Sequence, residues 1–322
     1  MNSRERFRIT MQYGEPDRVP YFEEGIRKEV LRAWTKQGLP SESEFTRMFP
    51  CDEREEIQLE LDPIPAKWPT LPSELGKFRN SLDAKDPGRW PGDWPRQVQN
   101  WRKRESVLML RVHRGFFLSM GVHDWNRFTE VIKLTVKNPE FVRESMKIQG
   151  EFAAQVAERA LSEAEIDAAV FTEPIGGNDR PLISPRMYED FVLSNYERLL
   201  TVLKRHRVET IIFRTFANSR LLIPSVLKWG FNCLWACEVN VDAMDYQDLR
   251  REYGRDLRLI GGIDLDVLHR DKGSIRREIE EKVPPLLADG GYIPLADGRV
   301  REDVPFENYV YYRRLLERVT TP

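Results

Sequence analysis

Short apolar runs rich in β-branched and aromatic residues recur along the chain, separated by longer stretches whose apolar positions return every three or four residues. The first pattern predicts buried strands and the second amphipathic helices. Their alternation predicts βα units around a parallel sheet. Seven strands are expected: RVPYFEEG (18–25), SVLMLRV (106–112), DAAVFTE (167–173), ETIIFRT (209–215), NCLWACE (232–238), LRLIGGID (257–264) and GYIPLA (291–296). An eighth fits EEIQLEL, within a 50–105 segment whose PIPAKWP and DPGRWPGDWP otherwise predict an irregular Pro- and Trp-rich insertion or lid. Between strands, NPEFVRESMKIQGEFAAQVAERAL sets Phe141, Met146, Ile148, Phe152 and Val156 near one helical face. In ISPRMYEDFVLSNYERLL, Ser184 is the expected N-cap with Pro185 in the first turn. The fold expected is α/β, one (β/α)8 barrel of TIM type over residues 1–322.

Charge narrows the function classes. Lys and Arg number 50 against 52 Asp and Glu, a formal charge of -2, so no global field draws the chain to nucleic acid or a membrane surface. No apolar run reaches ~18 residues and MNSRERFRIT does not resemble a signal segment, so the expected location is cytoplasmic. Three cysteines, Cys51, Cys233 and Cys237, cannot make a disulfide framework, and four histidines are few for imidazole chemistry.

In a barrel of this kind the carboxyl ends of the strands hold substrate. The polar residues predicted there are Glu23, Glu24, Glu173, Arg214, Cys237, Glu238, Asp264, Asp297 and Arg299. Strand-end charges also simply face water, and for any one of these residues that reading has equal weight. As a set they favour a pocket. Cys233 and Cys237 lie about 13 Å apart on an extended strand at ~3.3 Å per residue, too far to share one metal. Cys237 with Glu173 or Glu238 is the expected ligand set if zinc is bound, against the commoner reading of a small packed cysteine. His113 follows an apolar strand and is the one histidine near a strand end; His123 is expected to pack on a helix start. The GGID and GGY glycines lack phosphate-loop spacing and read as close packing. Trp68, Trp90 and Trp94 read more readily as the core of the insertion than as a lid.

The segments NSRERFRITMQYGEPDRVP, EPIGGNDRPLISPRMYEDFVLSNYERLL, LIPSVLKWGFNCLWACE, YGRDLRLIGGID and GGYIPLADGRVREDVPFENYVYY resemble the uroporphyrinogen decarboxylase superfamily, in order and from end to end. The resemblance implies the same barrel and two chemistries, decarboxylation and methyl transfer involving corrinoid proteins or thiols. The chain departs from the family pattern in ways that bear on the choice. The early arginine-rich carboxylate grip reads YFEEGIRKEV here, with Glu23 and Glu24 leading, which disfavours a porphyrinogen bearing many carboxylates. The H-x-D-G-N or D-T-D-G-N strand reads Arg214-Thr215-Phe216-Ala217-Asn218, and the P-D-H segment reads Ala296-Asp297-Gly298. The His-x-Cys motif of the zinc-dependent thiol methyltransferases is also missing, since Arg214 cannot ligate. What the resemblance then implies is a corrinoid-linked O-demethylase acting on a small anionic methoxylated compound, with a corrinoid protein as partner. Glu173, Glu238 and Asp297 are its candidate acids, while Arg214, Arg299, Asn218, Glu23 and Glu24 are its candidate substrate contacts. A decarboxylase of a small carboxylate or porphyrinogen, and a degenerate binding member, are the alternatives.

Overall fold

The computed structural model of the protein describes residues 1–238 and 243–321. Seven strands alternate with helices among them: β1 (Arg54–Ile57), β2 (Val107–His113), β3 (Ala168–Glu173), β4 (Thr210–Phe216), β5 (Cys233–Cys237), β6 (Arg258–Ile263) and β7 (Tyr292–Ala296). The residues form two compact units. A central unit holds Glu55–Arg104 and Leu108–Asn232, and a terminal unit holds Met1–Arg54, Glu105–Val107 and Cys233–Pro322. Each is α/β, with parallel strands paired in chain order: β2–β3–β4 in the central unit and β5–β6–β7 in the terminal one.

One expectation about strands is corrected and another is met. Residues 18–25 form no strand, because their backbone is paired with Asp52: the Tyr21 N–H donates to the Asp52 carboxylate at 2.8 Å, and the Asp52 N–H donates back to the Tyr21 carbonyl at 2.8 Å. The strand expected in EEIQLEL is present as β1, and the described residues hold seven strands.

The longer helices of the central unit include α1 (Trp94–Trp101), α2 (Trp125–Lys137), α3 (Pro139–Glu163) and α4 (Ser194–Arg205). The start of α3 is fixed by Asn138, whose side chain accepts from the Phe141 N–H at 3.3 Å, and by Pro139 in the first turn. Its face of Phe141, Met146, Ile148, Phe152 and Val156 is buried as the spacing predicts. Gly150 lets α3 approach α4 closely: a Cβ there would lie 2.1 Å from the Asn195 carbonyl oxygen. Ser184 caps the short helix before α4, accepting from the Met187 N–H at 3.3 Å. The tryptophans form a core: Trp90, Trp94 and Trp101 stack edge to face at 4.9 and 5.2 Å, all buried. Trp68 packs on His123 at 4.9 Å.

The terminal unit carries α5 (Tyr246–Tyr253) and α6 (Phe306–Thr320). The buried Tyr246 hydroxyl ties β5 to β6, accepting from the Ala236 N–H at 3.0 Å and donating to the Ile260 carbonyl at 2.7 Å. Gly262, at φ +81°, makes room for that ring, since a Cβ would fall 2.4 Å from Tyr246 Cδ2. The GGID glycines therefore serve packing.

Candidate functional site

Side chains alternate across a strand, so parity decides which face each candidate occupies. In the central unit Arg111 pairs in register with Val170, and Thr172 with Arg214. Arg111, Val170, Thr172 and Arg214 therefore share one face. Glu173, in register with Thr215, lies on the other. The register shifts between Arg111 and His113, so that His113 pairs with Phe171 and joins Glu173 on that second face. This β-bulge separates two residues that simple alternation would keep together.

On the first face, Arg214 donates to both carboxylate oxygens of Glu56 at 2.6 and 2.9 Å and to the Thr172 hydroxyl at 3.0 Å. Both members of the ion pair are 14% exposed. The fork of the guanidinium matches the carboxylate, a geometry an ammonium cannot reproduce. Arg114 forms an ion pair with Asp62 nearby. Arg111 is different. Its Nε is buried with no hydrogen-bond partner among the described residues. Burial pushes its basicity down, Glu56 and Asp62 push it up, and the like charges of Arg114 and Arg214 push it down again. Arg214 thus pairs with Glu56, whereas Glu173 lies on the opposite face of the sheet.

On the second face, Glu173 is 1% exposed. Its carboxylate accepts from the Phe116 N–H at 2.8 Å, from the Tyr188 hydroxyl at 3.2 Å and from the Tyr196 hydroxyl at 3.4 Å. Burial pushes its pKa up to about 7, against the pull of those three donors. The His113 Nδ1 accepts from the Gly115 N–H at 2.9 Å and lies 2.8 Å from the Tyr196 hydroxyl. Because an amide can only donate, the imidazole proton belongs on Nε2, which is buried and without a partner among the described residues. Burial, with Arg114 adding to it, pushes the His113 pKa down to about 3, so the ring is neutral. This cluster orients the loop after β2.

Asn218 is engaged by backbone: its amide donates to the Asp179 carbonyl at 2.9 Å and its Oδ1 accepts from the Arg220 N–H at 3.1 Å. The Gly176-Gly177 segment lies close beside it, and a Cβ on Gly176 would fall 2.0 Å from the Phe216 carbonyl oxygen.

The terminal unit holds the remaining candidates in two groups. Cys237 and Asp297 are buried, while Glu238 and Arg299 are exposed. Glu238 has φ +51° and donates its N–H to the Asp297 carbonyl at 2.5 Å; Asp297 Oδ1 accepts from the Leu265 N–H at 3.1 Å. Elsewhere Glu23 accepts from the Tyr309 hydroxyl at 2.6 Å and pairs with Arg313 at 3.4 Å. Its pKa is raised by burial, with Arg313 and Tyr309 opposing. Glu23 thus stands in an internal pair, which weakens the argument that it repels an anionic substrate. The neighbouring Glu24 has a buried Oε1 with no hydrogen-bond partner among the described residues. No group of three or more His, Cys, Asp or Glu residues is gathered to hold a metal ion among the described residues. Cys233 is buried with its thiol pushed up to about 12.

The sequence signal for Arg111 was available: one guanidinium inside the apolar run SVLMLRV. Glu56 carried none beyond its place in a short alternating stretch.

A family model described as uroporphyrinogen decarboxylase (URO-D) matches residues 122–308. No curated protein matches the chain. Among solved structures, xylanase B from Clostridium stercorarium F9 aligns with a TM-score of 0.45 and 10% identity, over 84% of this chain and 88% of that one. No helix among the described residues is long and apolar enough to cross a membrane.

Proposed function

Since this chain belongs to the uroporphyrinogen decarboxylase family, we propose that it is an enzyme of the methyl-transfer branch, a corrinoid-linked O-demethylase acting on a small methoxylated anion. We also propose that its strands belong to a closed, single-domain (β/α)8 barrel with the substrate at their carboxyl ends. The observation that carries the substrate class is the charge balance around Arg214. Among the described residues, three guanidinium groups, Arg111, Arg114 and Arg214, meet two carboxylates, Glu56 and Asp62, an excess of one positive charge. One net charge suits a monoanion. A porphyrinogen with many carboxylates would need several such cations.

In the proposed reaction the partner protein's corrinoid supplies the nucleophile that accepts the methyl group. The aryl or alkyl oxygen keeps the bonding electrons and leaves as an oxyanion. Protonation of that oxyanion from solvent releases a neutral hydroxyl, so the guanidinium holds the anionic group that the substrate already carries. The test is incubation of the protein with methoxybenzoates and cob(I)alamin, following methylcobalamin by absorbance and the freed phenol by chromatography. Methyl transfer is the expected result. Release of carbon dioxide from a small acid without methyl transfer overturns the proposal in favour of a decarboxylase, and binding with neither product points to a non-catalytic member. Uroporphyrinogen is expected to be recovered unchanged.

A further inference from the structure

We infer that Arg111 is the specificity-determining residue of this site, the one guanidinium of the three kept open to receive a single negative charge of the ligand. The inference rests on the anionic-substrate reading above and goes beyond it in naming which cation is vacant and which charge state it selects. Arg214 is closed by a two-point grip on Glu56 and a third bond to Thr172. Arg114 is closed by Asp62. Arg111 shares a sheet face with Arg214, feels both carboxylates and both arginines, and has an Nε without a partner among the described residues.

A half-buried guanidinium left between two like charges is unfavourable in the empty protein. It costs desolvation and repulsion with no paired hydrogen bonds to offset them. The pairs that flank it have a second effect: by occupying Glu56 and Asp62, Arg214 and Arg114 keep either carboxylate from closing onto Arg111. The site is thereby preorganised, because a ligand carboxylate or phenolate meets a donor that gives up no existing partner. It also selects charge. A neutral analogue leaves the vacancy unfilled, and a second negative charge meets Glu56 and Asp62 without a free cation to balance it.

The experiment uses the whole chain without any corrinoid, so that binding is read independently of methyl transfer. 4-Methoxybenzoate, its methyl ester and 4-methoxyphthalate serve as monoanion, neutral and dianion probes in calorimetric titration and thermal unfolding. Wild type is expected to bind the monoanion at least about tenfold more tightly than either of the others, the scale of one charge-assisted hydrogen bond. Arg111→Gln is expected to lose that preference and, unliganded, to unfold at the same or a higher temperature than wild type. Arg111→Lys recovers the sign of the preference but not the full affinity. Unaltered monoanion binding in Arg111→Gln overturns the inference. So does a wild type that binds none of the three probes or does not discriminate among them, as does an Arg111→Gln protein that is destabilised while keeping its affinity. Binding with this charge preference but no methyl transfer sinks the proposed reaction and leaves the inference standing; methyl transfer undisturbed by Arg111→Gln does the reverse.

Discussion

Arg214 and Glu56 are 158 residues apart in the chain and joined by two hydrogen bonds of 2.6 and 2.9 Å. The pair brings a charged residue of β1 onto the face of β4 where an anion would be held. Removing one partner leaves the other charge largely out of water. Glu56→Ala and Arg214→Ala are each expected to lower stability by about 2 kcal/mol, less than a fully buried pair because both groups keep some solvent contact. The double variant should recover part of that loss. A double-mutant cycle from urea unfolding reads the coupling, and strictly additive losses would show that the pair is solvated in effect.

Glu173 predicts a pH dependence whose sign is unusual for a carboxylate. Its folded pKa, about 7, lies above the ordinary value of 4.5. The folded state therefore holds the proton more tightly, and this group's contribution to stability is fully present below pH 4.5 and is lost as pH rises through about 7. The loss is on the order of 3 kcal/mol. Glu173→Gln, permanently neutral, should gain on wild type by that amount between pH 4.5 and pH 8 in urea unfolding. A constant difference across that range would place the carboxyl in water.

His113 acts in the opposite sense. Its folded pKa, about 3, lies below the ordinary 6.5. The unfolded state binds more protons between those values, so its contribution rises with pH from 3 to 6.5. From pH 4.5 to 6.5 it offsets Glu173, and wild-type stability should be nearly flat there. His113→Phe is expected to unmask the fall due to Glu173. If His113→Phe and wild type trace parallel pH profiles, the histidine is not buried neutral.

In the terminal unit, Glu23 depends on Tyr309 and Arg313. Tyr309→Phe should cost about 1 to 2 kcal/mol, the value of a hydrogen bond to a charged group. Arg313→Met should cost about 3 kcal/mol, since it strands a carboxylate that is 11% exposed. Thermal unfolding of both variants checks the order, and a smaller loss in Arg313→Met than in Tyr309→Phe would count against the pairing.

Gly176→Ala should be poorly tolerated, by about 3 kcal/mol, because the new methyl would fall 2.0 Å from the Phe216 carbonyl oxygen. Gly92, with open space around its Cβ direction, is the control whose alanine variant should unfold near wild type.

Strands were legible wherever a short β-branched run sat between helices, as ETIIFRT and DAAVFTE did, because burial on both faces leaves few polar residues to confuse the pattern. RVPYFEEG misled for a physical reason: the apolar Val19 to Phe22 stretch is matched to a carboxylate, Asp52, instead of a neighbouring strand. For the site, the sequence offered strand ends but not faces. Arg214 was recognised, while Glu173 was grouped with it although Thr172 is the β3 side chain that reaches the guanidinium. Arg111 is legible as a lone charge inside the apolar run SVLMLRV, whereas Glu56 acquires meaning only once a distant strand is brought beside it.

The irregularity between Arg111 and His113 behaves as a frameshift written in space. One residue's length of extra chain lets a single strand address two audiences, an arginine cluster on one side and a tyrosine-lined carboxyl cluster on the other. Were Val112 paired as an ordinary strand residue, His113 would fall opposite Thr172 and join Arg111, whereas deleting Val112 would keep His113 opposite Phe171 by plain alternation. Point substitutions in this strand retune a site, whereas the extra residue assigns the chain beyond it to the second face.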